Sequence, residues 1–232
     1  MKNFFVIIPA RGGSKGIINK NIKLISGKPL IAWTIENALK SKYINEVYVS
    51  TDCNQIAKIS EKYGAKVPFL RPKNLAKDDS KTIDCINHMV DKLDPNETKF
   101  DYIIILQPTS PLRNNIHINE AIEMIIKDNN ADSLVSCVKV PHIFHPESVM
   151  IYNDKKYLKP FLDKIEYPTR RQEKSDIYSR NGAAIYITKR NKIKTYIYGG
   201  KLICYEMSFS DSVDIDDMND FKIAEKKLNN LK

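Results

Sequence analysis

No stretch of this 232-residue chain approaches the roughly 20 consecutive apolar residues that span a bilayer, so a membrane protein is not expected. The apolar run near the N-terminus is only a strand long and meets Arg11 at once, which does not read as a signal peptide. Cysteine is sparse. Cys53, Cys85, Cys137 and Cys204 lie far apart with no CxxC pair, so neither a disulfide framework nor a zinc knuckle is expected, and a reducing cytoplasm is the simplest setting. Blocks of like charge are missing too. Basic residues number 37 against 28 acidic, a net charge of +9, but the lysines are scattered. That spread reads as a solvated surface that also attracts a small polyanion, and it ranks nucleic acid well below a nucleotide ligand. The best-known phosphate motifs are absent as well. There is no GxxxxGK[ST], and Gly12, Gly13 and Gly16 lack GxGxxG spacing, which disfavours P-loop and dinucleotide-binding proteins. No Ser-His-Asp arrangement is evident, and each cysteine reads as core packing.

What is present is an alternation of strands and helices. Phe4 to Ile8 is wholly apolar, the pattern of a strand buried on both faces of a parallel sheet. Helical spacing predicts a helix from Leu30 to about Lys40, then a strand from Glu46 to Thr51, with Asp52 as cap of a helix that stops at Gly64. A short strand is expected from Lys66 to Leu70 and a helix from Thr82 to Leu93. Asp101 to Leu106 reads as the central strand, followed by a helix from about Ile116 to Lys127 and a strand from Ser133 to Val138. Core strands at Gly182 to Ile187 and Lys201 to Met207, then an amphipathic helix from Asp216 to Leu231, complete an α/β fold with a mostly parallel, Rossmann-like sheet. The rhythm breaks over 139–179, which holds four of the eleven prolines. A connection of that length is not expected to be structureless. The chain therefore divides into an α/β domain, 1–138 with 180–232, and an inserted element, 139–179.

Two features carry chemistry. The first strand runs into Pro9-Ala10-Arg11-Gly12-Gly13-Ser14-Lys15-Gly16 and on to Lys20-Asn21. Glycines let a loop turn its N–H groups to an anion, and the cations supply charge, so this is where an α/β protein would hold phosphates. The second is Ser212-Val213-Asp214-Ile215-Asp216-Asp217. An extended backbone there places Asp214 and Asp216 on one side, a natural Mg2+ site completed by substrate phosphates. Asp216 or Asp217 also reads as the cap of the last helix. His142 and His145 have HxxH spacing without acidic or cysteine partners nearby, which favours surface or inter-subunit packing over metal. Arg170 and Arg171 are candidates for clasping a carboxylate or phosphate.

Taken together, these pieces resemble the acylneuraminate cytidylyltransferases, or CMP-sialic acid synthetases, over nearly the whole chain. The resemblance rests on the first loop, then in order on Ser50-Thr51-Asp52, Leu70-Arg71-Pro72, Gln107-Pro108-Thr109-Ser110-Pro111-Leu112-Arg113, Asn181-Gly182-Ala183 and Asp214-Ile215-Asp216. It implies the nucleotide-diphospho-sugar transferase type of fold and transfer of CMP from CTP to a nine-carbon keto-acid sugar. It further implies that Ala10, Arg11, Ser14, Lys15, Lys20 and Asn21 form the nucleotide loop, with Arg71 and Thr82 near the cytidine. Gln107, Asn181 and Arg171 fall on the sugar side, and Asp214 with Asp216 would hold Mg2+. Arg11, Lys20 and Asp214 carry the catalytic roles. The inserted element would be a homodimerisation device, with Arg171 lent to the partner's sugar site. A lysine that often follows His-Pro in the family is replaced by Glu147-Ser148, a departure on the sugar side that bears on which sugar is used. Legionaminic acid, pseudaminic acid or Kdo are alternative sugars, and a non-catalytic nucleotide- or nucleic-acid-binding protein is the alternative of another class.

Overall fold

The computed structural model describes residues 2–14, 16–162, 174–182 and 184–230. Strand β1 (Phe4–Pro9) lies between β4 (Val47–Ser50) and β5 (Tyr102–Ile105), parallel to both. Strand β10 (Tyr186–Lys189) separates β5 from β6 (Ser133–Lys139) and runs antiparallel to both, while β11 (Leu202–Glu206) closes the far edge parallel to β6. With β9 (Tyr178–Arg180) paired to the end of β6, these form a seven-stranded, mostly parallel sheet. A minimal hairpin, β2 (Leu24–Ile25) with β3 (Lys28–Pro29), leads into α1 (Leu30–Leu39). Within the inserted element, β7 (Met150–Tyr152) and β8 (Leu158–Pro160) make a two-stranded sheet of their own.

Three apolar clusters follow from the alternation along these strands. Val6, Ile8 and Ile104 point to one face, where α1, α2 (Asn54–Lys62) and α4 (Asn115–Lys127) cover them. Phe5, Ile7 and Ile103 point to the other, under α3 (Thr82–Leu93). Each such fully buried side chain stabilises the fold by about 1.5–3 kcal/mol relative to exposure. The third cluster positions the site. It packs Ile17 of the first loop, Ile25 of the hairpin and Ile215 between the two aspartates against Phe221, Ala224 and Leu228 of α5 (Met218–Asn229).

Three local expectations change. Over 66–70 only an isolated bridge forms, Lys66 to Tyr48, because this outermost segment meets the sheet at one point. The strand expected from Gly182 starts only at Tyr186; Gly182 has φ 73°, a left-handed conformation that does not continue a strand. Asp52 does not cap α2, whose N-cap is Cys53 without a side-chain cap; the Asp52 carboxylate instead accepts from the Gly12 N–H at 2.9 Å. No helix among the described residues is long and apolar enough to cross a membrane. The four cysteines are free thiols.

Candidate nucleotide and metal site

At the carboxyl ends of β1, β4 and β5, where open α/β sheets bind ligands, lies a polar cleft of about 420 Å3. Its walls gather Arg11, Ser14, Lys20 and Asn21 from the first loop, Arg71 and Thr82 from the connection between β4 and β5, Gln107 after β5, and Asp216. Ala10 lies buried beneath, its N–H donating to the Ser50 carbonyl at 2.9 Å. Lys15 and Arg171 lie outside the described residues, as does Arg170. Asn181 and Asp214 border a second, more apolar cavity of about 580 Å3, next to the first and partly walled by Pro141, Phe144 and Pro146 of the inserted element.

The first loop is held in place from several sides. Asn21 is buried and donates to the Arg11 carbonyl at 2.9 Å, fixing the loop's shape. Arg11 Nη1 donates to the Lys77 carbonyl at 3.0 Å and pairs with Asp78 at 2.8 Å, so the guanidinium spans the cleft mouth. Lys20 reaches across 195 residues of sequence to the Ile215 carbonyl, at 2.6 Å, with Asp216 Oδ1 at 4.0 Å. Arg71 is buried, its Nε and Nη2 donating to the Ser50 hydroxyl and carbonyl at 3.0 and 2.5 Å, so it anchors the cleft wall.

The segment after β5 forms the floor. Arg113 is fully buried, donating to the Gln107 and Ala184 carbonyls at 3.2 and 2.8 Å and to the Thr34 hydroxyl at 2.7 Å. Burial pushes its pKa down to about 9, which leaves it a cation at neutral pH. By drawing on the Gln107 carbonyl, Arg113 fixes the backbone from which the Gln107 side chain meets the cleft. The Thr109 carbonyl accepts from the Ile215 N–H at 2.9 Å and straps the carboxylate segment to this floor.

Val213 and Ile215 turn into the third cluster, which leaves Asp214 and Asp216 to the clefts as alternation requires. Asp217, not Asp216, caps α5, accepting from Asn219 and Asp220 N–H groups. The Asp216 side chain is 86% exposed. Asp214 is half-buried; burial raises its pKa, a hydrogen bond from Thr109 lowers it, the charge of Asp216 raises it again, and the net direction is up. Its Oδ1 has no hydrogen-bond partner among the described residues. A raised, half-buried carboxylate with an unpartnered oxygen beside a second carboxylate suits a hard divalent cation. No cluster of three acidic, His or Cys groups exists among the described residues, so two carboxylates would leave most positions to phosphate and water, the pattern Mg2+ takes.

Two glycines, whose tight contacts were not legible in the sequence, shape this arrangement. A Cβ at Gly16 would sit 2.3 Å from the Asp216 carbonyl oxygen, and one at Gly182 would sit 2.3 Å from Asp214 Oδ2. Gly16→Ala is therefore expected to force the first loop off the carboxylate segment, costing about 1–3 kcal/mol in urea unfolding and weakening CTP binding by calorimetry. His145, one of the HxxH pair, is a local brace: Nδ1 accepts from the Glu147 N–H at 3.2 Å and Nε2 donates to the Ser175 carbonyl at 3.1 Å.

Comparison with known proteins gives the chain a family. The profile of the cytidylyltransferase family matches residues 5–229. The N-acylneuraminate cytidylyltransferase of Escherichia coli O18:K1:H7 is 35% identical over 94% of the chain; the chain spans 50% of that relative's length. The CMP-N,N'-diacetyllegionaminic acid synthase of Legionella pneumophila is 37% identical over 96% of the chain and 94% of its own length. The pseudaminic acid cytidylyltransferase of Campylobacter jejuni serotype O:23/36 is 32% identical over 97% of the chain and 95% of its own length. Among solved structures, a CMP:2-keto-3-deoxy-manno-octonic acid synthetase complexed with CTP superimposes with a TM-score of 0.75 at 19% identity, covering 100% of both chains. That likeness is one of fold.

Proposed function

Because the chain belongs to the cytidylyltransferase family, we propose that it transfers CMP from CTP to the anomeric hydroxyl of a nonulosonic, sialic-acid-like keto-acid sugar and releases pyrophosphate. The observation that carries the reading is the Lys20 bridge to the Ile215 carbonyl, which joins a basic loop fit for a triphosphate to the aspartate pair. Relatives acting on N-acylneuraminic, legionaminic and pseudaminic acids support the sugar class.

Nucleotidyl transfer asks for positioning and charge neutralisation more than covalent work. Arg11 and Lys20 face the cleft where the triphosphate would lie and offset the charge that grows on the leaving pyrophosphate. A triphosphate competes with Asp78 for Arg11. Ser14 and Asn21 shape the loop around the phosphates and ribose, while Arg71 and Thr82 bound the cytidine end. Gln107, on the wall of the first cleft, would orient the sugar, and Asn181 borders the second cavity, the space the sugar would fill. Asp214 and Asp216 would hold Mg2+, which when bound supplies charge to the α-phosphate and lowers the sugar hydroxyl's pKa. Asp214, on the wall of the second cavity, would take that proton. Arg11→Gln is expected to raise the CTP KM at least about tenfold, a loss of about 1.4 kcal/mol, with a smaller change in kcat.

The inserted element leaves five large apolar side chains, Phe144, Tyr152, Tyr157, Leu158 and Phe161, each more than half exposed. A homodimer covers them. Sedimentation at working concentration is expected to give a dimer, and Tyr152→Asp with Leu158→Asp a monomer with reduced turnover. The substrate class is tested by CTP turnover across N-acetylneuraminic, legionaminic, pseudaminic and Kdo acids with Mg2+. One of the nine-carbon acids should be used best; exclusive use of Kdo, or oligonucleotide binding without pyrophosphate release, would overturn the reading.

A further inference from the structure

A buried chain of polar groups ends at the carboxylate segment, and of its members only Asn181 enters the scheme above. Ser136, fully buried on β6, accepts from the Ile185 N–H at 2.9 Å and donates to Asn181 Oδ1 at 2.7 Å. Asn181 Nδ2 donates to the Ser212 hydroxyl at 2.9 Å and to Met207 Sδ at 3.2 Å. The Ser212 hydroxyl in turn donates to the Ser208 carbonyl at 2.7 Å. Each donated proton has its own acceptor, so the relay has a single direction and a single amide orientation. Both Asn181 amide protons are engaged inside the protein, which leaves its side chain no donor for a sugar.

Two links tie this relay to Asp214. Ser212 stands just before Val213 and Asp214, and on the other side Ile215 is held by the Thr109 carbonyl, so the carboxylate hangs on a backbone fixed at both ends. Gly182, next to Asn181, takes φ 73° and gives Asp214 Oδ2 its seat, since a Cβ there would lie 2.3 Å from that oxygen. The unit that anchors Ser212 is thus the unit that shapes the carboxylate's pocket. An anion raised in pKa and unpartnered at Oδ1 would otherwise rotate towards water.

We propose that Ser136, Asn181 and Ser212 are positioning residues that hold the Asp214 carboxylate in its metal-binding orientation. The inference rests on the metal reading above. Groups that orient a metal ligand from behind change metal affinity by about 10–100-fold when removed.

The experiment measures Mn2+ affinity by water-proton relaxation in the presence of CTP and without sugar, alongside thermal unfolding. Ser212→Ala, at a half-buried position where the protein still folds, is expected to weaken Mn2+ about tenfold, with Ser212→Thr recovering most of it. Ser136→Ala should weaken Mn2+ similarly. A lowered unfolding midpoint with wild-type Mn2+ affinity in both alanine variants would show a merely structural relay and overturn the inference. Wild-type Mn2+ affinity in Asp214→Asn would instead overturn the metal reading beneath it.

Discussion

Replacing Asp214 with asparagine is expected to lower kcat at least about a thousandfold while making the ligand-free protein more stable. The loss follows from removing a carboxylate that neutralises charge around the reacting phosphate, about 4 kcal/mol of barrier. The gain follows from the same geometry. Burial first, and then the charges of Asp216 and Asp220, raise the Asp214 pKa above the ordinary carboxylate value. The folded state thus binds this proton more tightly than the unfolded one, so the ionised group costs stability above its folded pKa. That cost disappears as pH falls through it. Asparagine removes the charge at every pH. With solvent screening of a half-buried group allowed for, the gain reads out as a modest rise in the unfolding midpoint. Added Mg2+ should raise the midpoint of the wild type but not of the variant. On the acid side, turnover should fail at a pH above the ordinary aspartate value of about 4. A variant with near-normal turnover would refute the assignment.

The second large effect concerns folding. Arg113 ties α1, the floor of the cleft and the segment before β10 through Thr34, Gln107 and Ala184. Arg113→Ala removes the guanidinium from the Ala184 carbonyl and the Thr34 hydroxyl, leaves the Gln107 carbonyl only long contacts from Thr34 and Ser110, and opens a cavity, while relieving the burial of a cation. The net expectation is about 3 kcal/mol of lost stability in urea unfolding. Arg113→Lys keeps the charge but cannot fork to several acceptors, and should fall between the two. Because the Gln107 carbonyl is one of those acceptors, residual folded Arg113→Ala should also bind sugar more weakly. Unchanged stability would show that the clamp is idle.

The pattern of what could be read in advance has a physical basis. Phe4 to Ile8 and Asp101 to Leu106 were legible because a strand buried on both faces must be an apolar run, and both form at the centre of the sheet. Helix α3 was predicted at the bounds it takes, its apolar spacing being unbroken. Lys66 to Leu70 misled because a lone bridge at the sheet's margin needs the same β-rich residues as a strand. Asp52 looked like a cap because Asp before a helix usually is one; only the fold brings Gly12 to it. The capping box of α4 went unseen because histidine, His117, is not the expected partner for Asn114. Within the site, Arg11, Lys20, Gln107 and Asp216 were placed together by motif order, and they share one cleft. The contacts that tune them, Asp78 on Arg11 and Gly182 on Asp214, join distant parts of the chain and leave no local mark.

The central claim is that the cleft transfers CMP. Its most direct test follows the phosphorus of CTP by 31P NMR with Mg2+ and the preferred nine-carbon keto-acid sugar. A phosphodiester signal for a CMP-sugar should rise in step with pyrophosphate, and neither should appear without the sugar. Release of inorganic phosphate with CDP, or consumption of CTP at the same rate without sugar, would contradict it.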